Sequence, residues 1–294
     1  MMRNAMILPT SRTPVLIQGI SSEKGAMHTE MALAFDTRVV AGTSRAPGMK
    51  HFLGVPVFKS VAEAVAKTKP KVSVIFAPPD RVLAEAKEAA RAKIPLIVCT
   101  TEHVPAQTAL RLRQVARDCG VTILGPAAPG LVVPDVGVFG TMPTHLFQAG
   151  RVGVIGRSGS LIYEAVGQLK KRGLGVSACV AVGTAPVLAS SYRPAFEALL
   201  RDDRTRVILV IGLPQGPFEF ELADIYQKTL DKKPLCVYIP GTGNIPPPPM
   251  TLIGEPTEAG ESVRERKIQA LVRAGAVVVA GLDTIGKEVA HAAQ

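Results

Sequence analysis

Short apolar runs separated by amphipathic segments set the pattern of this chain. Residues 14–19, 72–76, 96–100 and 207–212 are dominated by apolar side chains, as strands buried on both faces are. Between the runs, apolar positions recur every three or four residues, the helical period, over 26–35, 60–67, 81–92 and 105–119 and again over 160–172, 192–202, 219–231 and 263–274. Further strands are expected at 38–41, 121–124, 151–155, 176–182, 234–239 and 276–280. Strands alternating with helices of this length predict parallel sheets covered by helices. The alternation lapses at 126–150, where glycine and proline are frequent, and resumes at 151. The chain therefore reads as two αβ halves and a connector, without a residue-level repeat. A second Gly/Pro-rich stretch, 240–260, interrupts the latter half.

Composition changes this picture little. A length of 294 residues suits two domains of ordinary size. Only 4% of residues are aromatic and none is tryptophan, which leaves the core to Ala, Val, Ile and Leu. The net charge of +10 raises the question of nucleic acid. Lys and Arg are scattered over the expected helix faces, with few aromatics to stack bases, so attraction of a small polyanion is favoured and nucleic acid is not. Cys99, Cys119, Cys179 and Cys236 are far apart and read as reduced core residues. No apolar run approaches the ~18 residues of a membrane span, and the first residues lack the apolar stretch of a signal peptide. A cytoplasmic protein without membrane attachment and without a metal site of its own is expected.

Three turns carry candidate chemistry. Gln18-Gly19-Ile20-Ser21-Ser22-Glu23-Lys24-Gly25 follows the first strand and opens the first helix. At such a place free helix amides and the helix dipole face phosphates. Gly19 and Gly25 admit close backbone approach, and Ser21, Ser22 and Lys24 add donors. The pattern is not GxGxxG, so a nicotinamide dinucleotide is disfavoured; a plain tight turn is the bland alternative. After the second strand, where an acidic residue would select an unphosphorylated ribose, Arg45 and Lys50 are basic and suit a ribose 3′-phosphate, or are simply exposed charges. Pro78 and Pro79 then form a rigid ledge, either a strand stop or a wall for an adenine or pantetheine arm. In the second half, Gly156-Arg157-Ser158-Gly159-Ser160 lies between a strand and a helix. Amides and the hydroxyls of Ser158 and Ser160 there can meet an anion, while the trailing residues of a P-loop are absent.

The order of these motifs resembles a known family. Gln18-Gly19, Gly25 and His28 are followed by Leu53-Gly54-Val55-Pro56-Val57-Phe58, Thr101-Glu102, Gly125-Pro126, Pro129-Gly130, then Arg157-Ser158-Gly159-Ser160-Leu161 and Tyr163-Glu164. The series is similar to the α subunit of succinyl-CoA synthetase over nearly the whole chain. The resemblance implies an α/β fold with a Rossmann-like CoA-binding domain at 1–125, a connector at 126–150 and a flavodoxin-like, doubly wound ligase domain at 151–294. It also implies coenzyme A as ligand and a β-type ATP-grasp partner that supplies NTP and Mg²⁺. The reaction implied joins a small carboxylic acid to CoA through an acyl phosphate and a phosphohistidine. Gly19, Ser21, Ser22, Lys24, Gly25, Pro78, Thr101 and Glu102 fall in the implied CoA-binding half. The family's basic-loop lysine falls on Pro47, so Arg45 or Lys50 must substitute.

The phosphohistidine does not carry over. Its position falls on Leu252, its partner glutamate on Leu213, and an Asn-Cys pair on Ala127-Ala128. Residues 146–290 contain no histidine at all. Stand-ins are few: His145 in the connector, or Glu255, Glu258 and Glu261 in the altered loop. His28, His51 and His103 belong to the first half and His291 to the tail. Polar residues turned apolar at three separate sites point to loss of the relay itself. The expected function is a CoA-binding α-type subunit of an acid–thiol ligase, acting through an acyl phosphate without a phosphohistidine. A non-catalytic CoA-binding or regulatory subunit, and an acyl or carbamoyl transferase with a phosphate leaving group, are the alternatives.

Overall fold

The computed structural model describes residues 6–241 and 262–293. The first half runs β1 (Val15–Gln18), α1 (Glu23–Ala34), β2 (Val39–Thr43), β3 (His51–Phe52), β4 (Val55–Phe58), α2 (Val61–Thr68), β5 (Val72–Ile75), α3 (Val82–Arg91), β6 (Leu96–Cys99), α4 (Ala106–Cys119) and β7 (Thr122–Leu124). These strands form one sheet in the order β3-β4-β2-β1-β5-β6-β7, parallel except for the short β3. Strand order reverses beside β1: the chain moves outward to β2 and β4, then returns to place β5 on the other side. In open α/β sheets ligands bind at that switch point, at the carboxyl ends of the strands.

The second half repeats the design with β8 (Gly130–Val133), β9 (Gly137–Gly140), β10 (Ala149–Gly156), α5 (Gly159–Lys171), β11 (Val176–Ala181), α6 (Arg193–Arg201), β12 (Val207–Ile211), α7 (Phe218–Gln227), β13 (Leu235–Tyr238), α8 (Val263–Arg273), β14 (Val277–Val278) and α9 (Ile285–Ala292). The sheet order is β14-β13-β12-β10-β11-β8-β9, with β10 to β14 parallel and β8 and β9 antiparallel at one edge. Its switch point lies between β10 and β12, so the loop after β10 and the loop after β12 face a common crevice.

Part of the expected connector is therefore sheet. Residues 130–140 make a hairpin whose two strands are buried throughout, so no alternation announces them. Glycine makes the close approach possible: a Cβ on Gly130 would lie 2.1 Å from the Phe139 carbonyl oxygen, and Gly130 has a φ of +95°. The hairpin also ties the halves together. Thr37, just past α1, accepts from the Val138 amide at 2.9 Å and donates back to its carbonyl at 3.3 Å. A single apolar cluster runs from Val15 and Phe76 through Leu131 and Phe139 to Val180 and Val210. Among the described residues no helix is long and apolar enough to cross a membrane.

Candidate functional site

The turn after β1 is built by its capping residue. Ser22 caps α1, its hydroxyl accepting from the Gly25 amide at 3.1 Å and donating to the Gly19 carbonyl at 2.8 Å. Gly25 has no room for a side chain, because a Cβ would lie 2.1 Å from the Gly19 oxygen. Capping here starts the helix at Glu23, three residues before its apolar period begins. Ser21 reaches across to Ser44 after β2, with 2.5 Å between hydroxyls, and Ser44 accepts from the Ala46 amide at 3.0 Å. Together with the ends of β2 and β5 this turn bounds a cleft of about 240 Å³, lined among others by Gly19, Ser21, Ser22, Arg45, Pro78 and Arg81.

Beneath the cleft lies a chain of hydrogen bonds. Buried Ser73 on β5 donates to the Gln18 side-chain oxygen at 2.7 Å. The Gln18 amide nitrogen donates to the Glu85 carboxylate at 3.0 Å and to its backbone oxygen at 3.1 Å. The other Glu85 oxygen takes Arg81 at 2.7 Å, with Arg45 at 3.9 Å from the same atom. Nearby, the His28 ring stacks on Phe76 with 5.5 Å between centroids. Its Nδ1 is buried with no partner. Burial, with the positive Lys24 adding to it, holds this imidazole below its ordinary pKa.

In the second half, the loop after β10 presents the amino end of α5. Ser158 caps the helix with an extended backbone but its side chain makes no capping bond. The first amides of α5 thus lack an intrahelical partner, as helix geometry dictates. Arg157 turns inward instead. Buried, it donates to the carbonyls of Gly183 at 3.3 Å and Ala185 at 2.7 Å, and its guanidinium lies 4.9 Å from the Phe218 ring centroid. Tyr163, one turn along α5, has its hydroxyl 3.2 Å from where a Gly159 Cβ would stand, and burial pushes its pKa up to about 12.

Facing this loop across the switch point is the segment after β12. Its backbone is pinned at Leu213 by a buried ion pair: Lys267 on α8 donates to Glu219 on α7 at 2.6 Å and to the Leu213 carbonyl at 2.9 Å. Glu219 in turn accepts from the Leu213 amide at 3.0 Å and the Tyr192 hydroxyl at 3.2 Å. Burial, reinforced by the charge of Glu219, raises the Tyr192 pKa well above its ordinary value, so the hydroxyl stays a donor. The carboxylate and ammonium are both fully buried and multiply bonded, the condition under which such a pair is tolerable.

The family described as CoA binding domain matches residues 10–103, and the family described as CoA-ligase matches residues 155–280. The ADP-forming succinate–CoA ligase subunit alpha of Aquifex aeolicus is 36% identical over 286 residues, covering 97% of this chain and 93% of its own length. That of Methanothermobacter thermautotrophicus is 35% identical over 274 residues, covering 93% and 92%. The chain belongs to the succinate–CoA ligase α-subunit family. Solved structures share the fold at lower identity. ATP citrate lyase of Methanosaeta concilii, in complex with (3S)-citryl-CoA, superposes with a TM-score of 0.83 at 21% identity, over 98% of this chain and 50% of that one. The dinucleotide-forming acetyl-coenzyme A synthetase 1 of Ca. Korarchaeum cryptofilum gives 0.74 at 19%, over 96% and 61%. This α-type chain thus spans only part of those longer proteins.

The first cleft collects Gly19, Ser21, Ser22, Arg45 and Pro78 from the residues expected to hold CoA. Gly25 lies buried beneath the turn, and Lys24 and Lys50 are exposed away from the lining. Thr101 is buried with its hydroxyl on the Ala77 carbonyl at 2.7 Å, and Glu102 is exposed. Ser158, Gly159 and Ser160 do open a helix. His145 sits exposed in a short turn, Thr144–Leu146. Leu252, Glu255, Glu258 and Glu261 lie outside the described residues. Sequence reasoning overlooked Lys59, Arg81 and Glu85 at the cleft, and Glu219 and Lys267 behind Leu213. The spacing of Arg81 and Glu85 by four was the available signal; nothing linear joins positions 219 and 267.

Proposed function

We propose that this chain is the CoA-binding α-type subunit of an acid–thiol ligase in which no histidine of this chain carries phosphate. It is a cytoplasmic chain that works with a β-type ATP-grasp partner holding NTP and Mg²⁺. The carrying observation is at Leu213. The loop where the resemblance places the family's partner glutamate has its backbone pinned by Glu219 and Lys267, yet carries the apolar Leu213. The opposing amides of Gly159 and Ser160 remain available to an anion. In this reading an acyl phosphate formed on the partner reaches the crevice, and the CoA sulfur bonds to its acyl carbon. The bond from that carbon to the phosphate oxygen breaks, inorganic phosphate leaves with the electron pair, and the thiol proton passes to solvent. The α5 amides stabilise the departing phosphate.

The test is turnover by the complex isolated with its natural partner, supplied with CoA, NTP and a panel of small carboxylic acids. Acyl-CoA formation that requires NTP supports the reading. CoA binding without turnover of any acid supports a regulatory subunit instead. Acyl transfer from an added acyl or carbamoyl phosphate, with no requirement for nucleotide at any stage, supports the transferase.

A further inference from the structure

We propose that Arg81, clamped by Glu85, joins Arg45 in reading the phosphorylated ribose of CoA, so that this pair distinguishes CoA from dephospho-CoA. The inference rests on the CoA reading above and assigns within it a contact that the basic loop alone does not supply. The end of β2 is where an α/β nucleotide site meets the ribose, and a basic residue there accommodates a ribose phosphate. Arg45 occupies that place, but it is loosely held: 77% exposed, and 3.9 Å from its carboxylate. Lys50 does not line the cleft. Arg81, at the start of α3 on the opposite wall, does.

What sets Arg81 apart is its support. An ordinary helix pair four residues apart contributes little and leaves both side chains free to move. Here the carboxylate is fixed from below, because one Glu85 oxygen is bonded to buried Gln18, itself held by buried Ser73. The remaining oxygen aims Arg81 at 2.7 Å, and the Arg81 side chain is only 26% exposed. A guanidinium fixed in orientation offers a phosphate two parallel donors without losing the side-chain entropy that a free lysine would. Arg45 shares the same oxygen at longer range, so both cations converge on one point while a single carboxylate oxygen balances them. With Lys59 and Glu88 also on the lining, three cations face two carboxylates, and the cleft keeps a positive surplus.

The experiment is calorimetric titration of the full-length chain with CoA and with dephospho-CoA. The wild type is expected to bind CoA about tenfold or more tightly than dephospho-CoA, the range one charge-assisted contact supplies. Arg81→Ala should remove most of the preference for CoA, and Arg45→Ala in addition the rest, while dephospho-CoA affinity stays within about twofold, which also certifies the fold. Arg81→Lys and Glu85→Gln should each restore or retain only part of the preference, and Lys50→Ala should leave it unchanged. Equal binding of both ligands by the wild type overturns the proposal. So does an Arg81→Ala variant that weakens both alike, or a preference removed by Lys50→Ala alone. Binding of neither ligand overturns the CoA reading itself, and this inference with it.

Discussion

At the scale of single residues, the pair Glu219–Lys267 decides most. Both side chains are fully buried, so removing one leaves an uncompensated charge in a medium that solvates it poorly. Lys267→Met is expected to lower stability by about 3–5 kcal/mol in urea unfolding. Adding Glu219→Leu should recover much of that loss, and a single variant as stable as wild type would contradict the assignment. His28 gives a second test. Its pKa is lowered in the folded state, so the unfolded chain binds more protons below the ordinary histidine range. Stability should therefore be complete above about pH 6.5 and fall as pH drops through the lower folded value. Thermal melts between neutral and mildly acidic pH should show that slope reduced in His28→Phe; equal slopes would remove His28 from the account. None of this pairing was legible in the sequence. Lys267 and Glu219 meet only because α7 and α8 pack side by side, and a lysine in an amphipathic helix otherwise reads as solvated.

At the scale of elements, the alternation of apolar runs foretold the central strands and most helices, because those strands are buried on both faces and the helices on one. It missed β8 and β9. Their apolar residues include three glycines and flank Pro134-Asp135, so they read as loop, although a turn between β-branched residues was the available cue. The Ser22 cap likewise moved the start of α1 ahead of its apolar period. The hairpin's role as a tie is testable at Thr37. Thr37→Val leaves the buried Val138 amide without a partner and should cost about 1–3 kcal/mol. Hydrogen exchange of the hairpin amides should accelerate in the same variant; unchanged exchange and stability would show that the halves hold together without it.

At the scale of the whole molecule, two sheets each bring a glycine-bearing turn to a switch point, and the shared core fixes one relative to the other. The family's architecture was legible because ordered motifs survive across the chain. The change in chemistry proposed above rests on the apolar residues Leu213 and Leu252, which are visible in the sequence. What the sequence concealed was that the Leu213 loop is held from behind by Glu219 and Lys267. On the proposed function, the crevice works without a phosphorylated side chain of this subunit. Intact-mass measurement of this chain, taken from its complex during turnover with labelled ATP, an acid substrate and CoA, tests it most directly. Acyl-CoA accumulating while the chain keeps its unmodified mass is the predicted result. A phosphoryl adduct on this chain that forms with ATP and disappears when acid and CoA are added would contradict it.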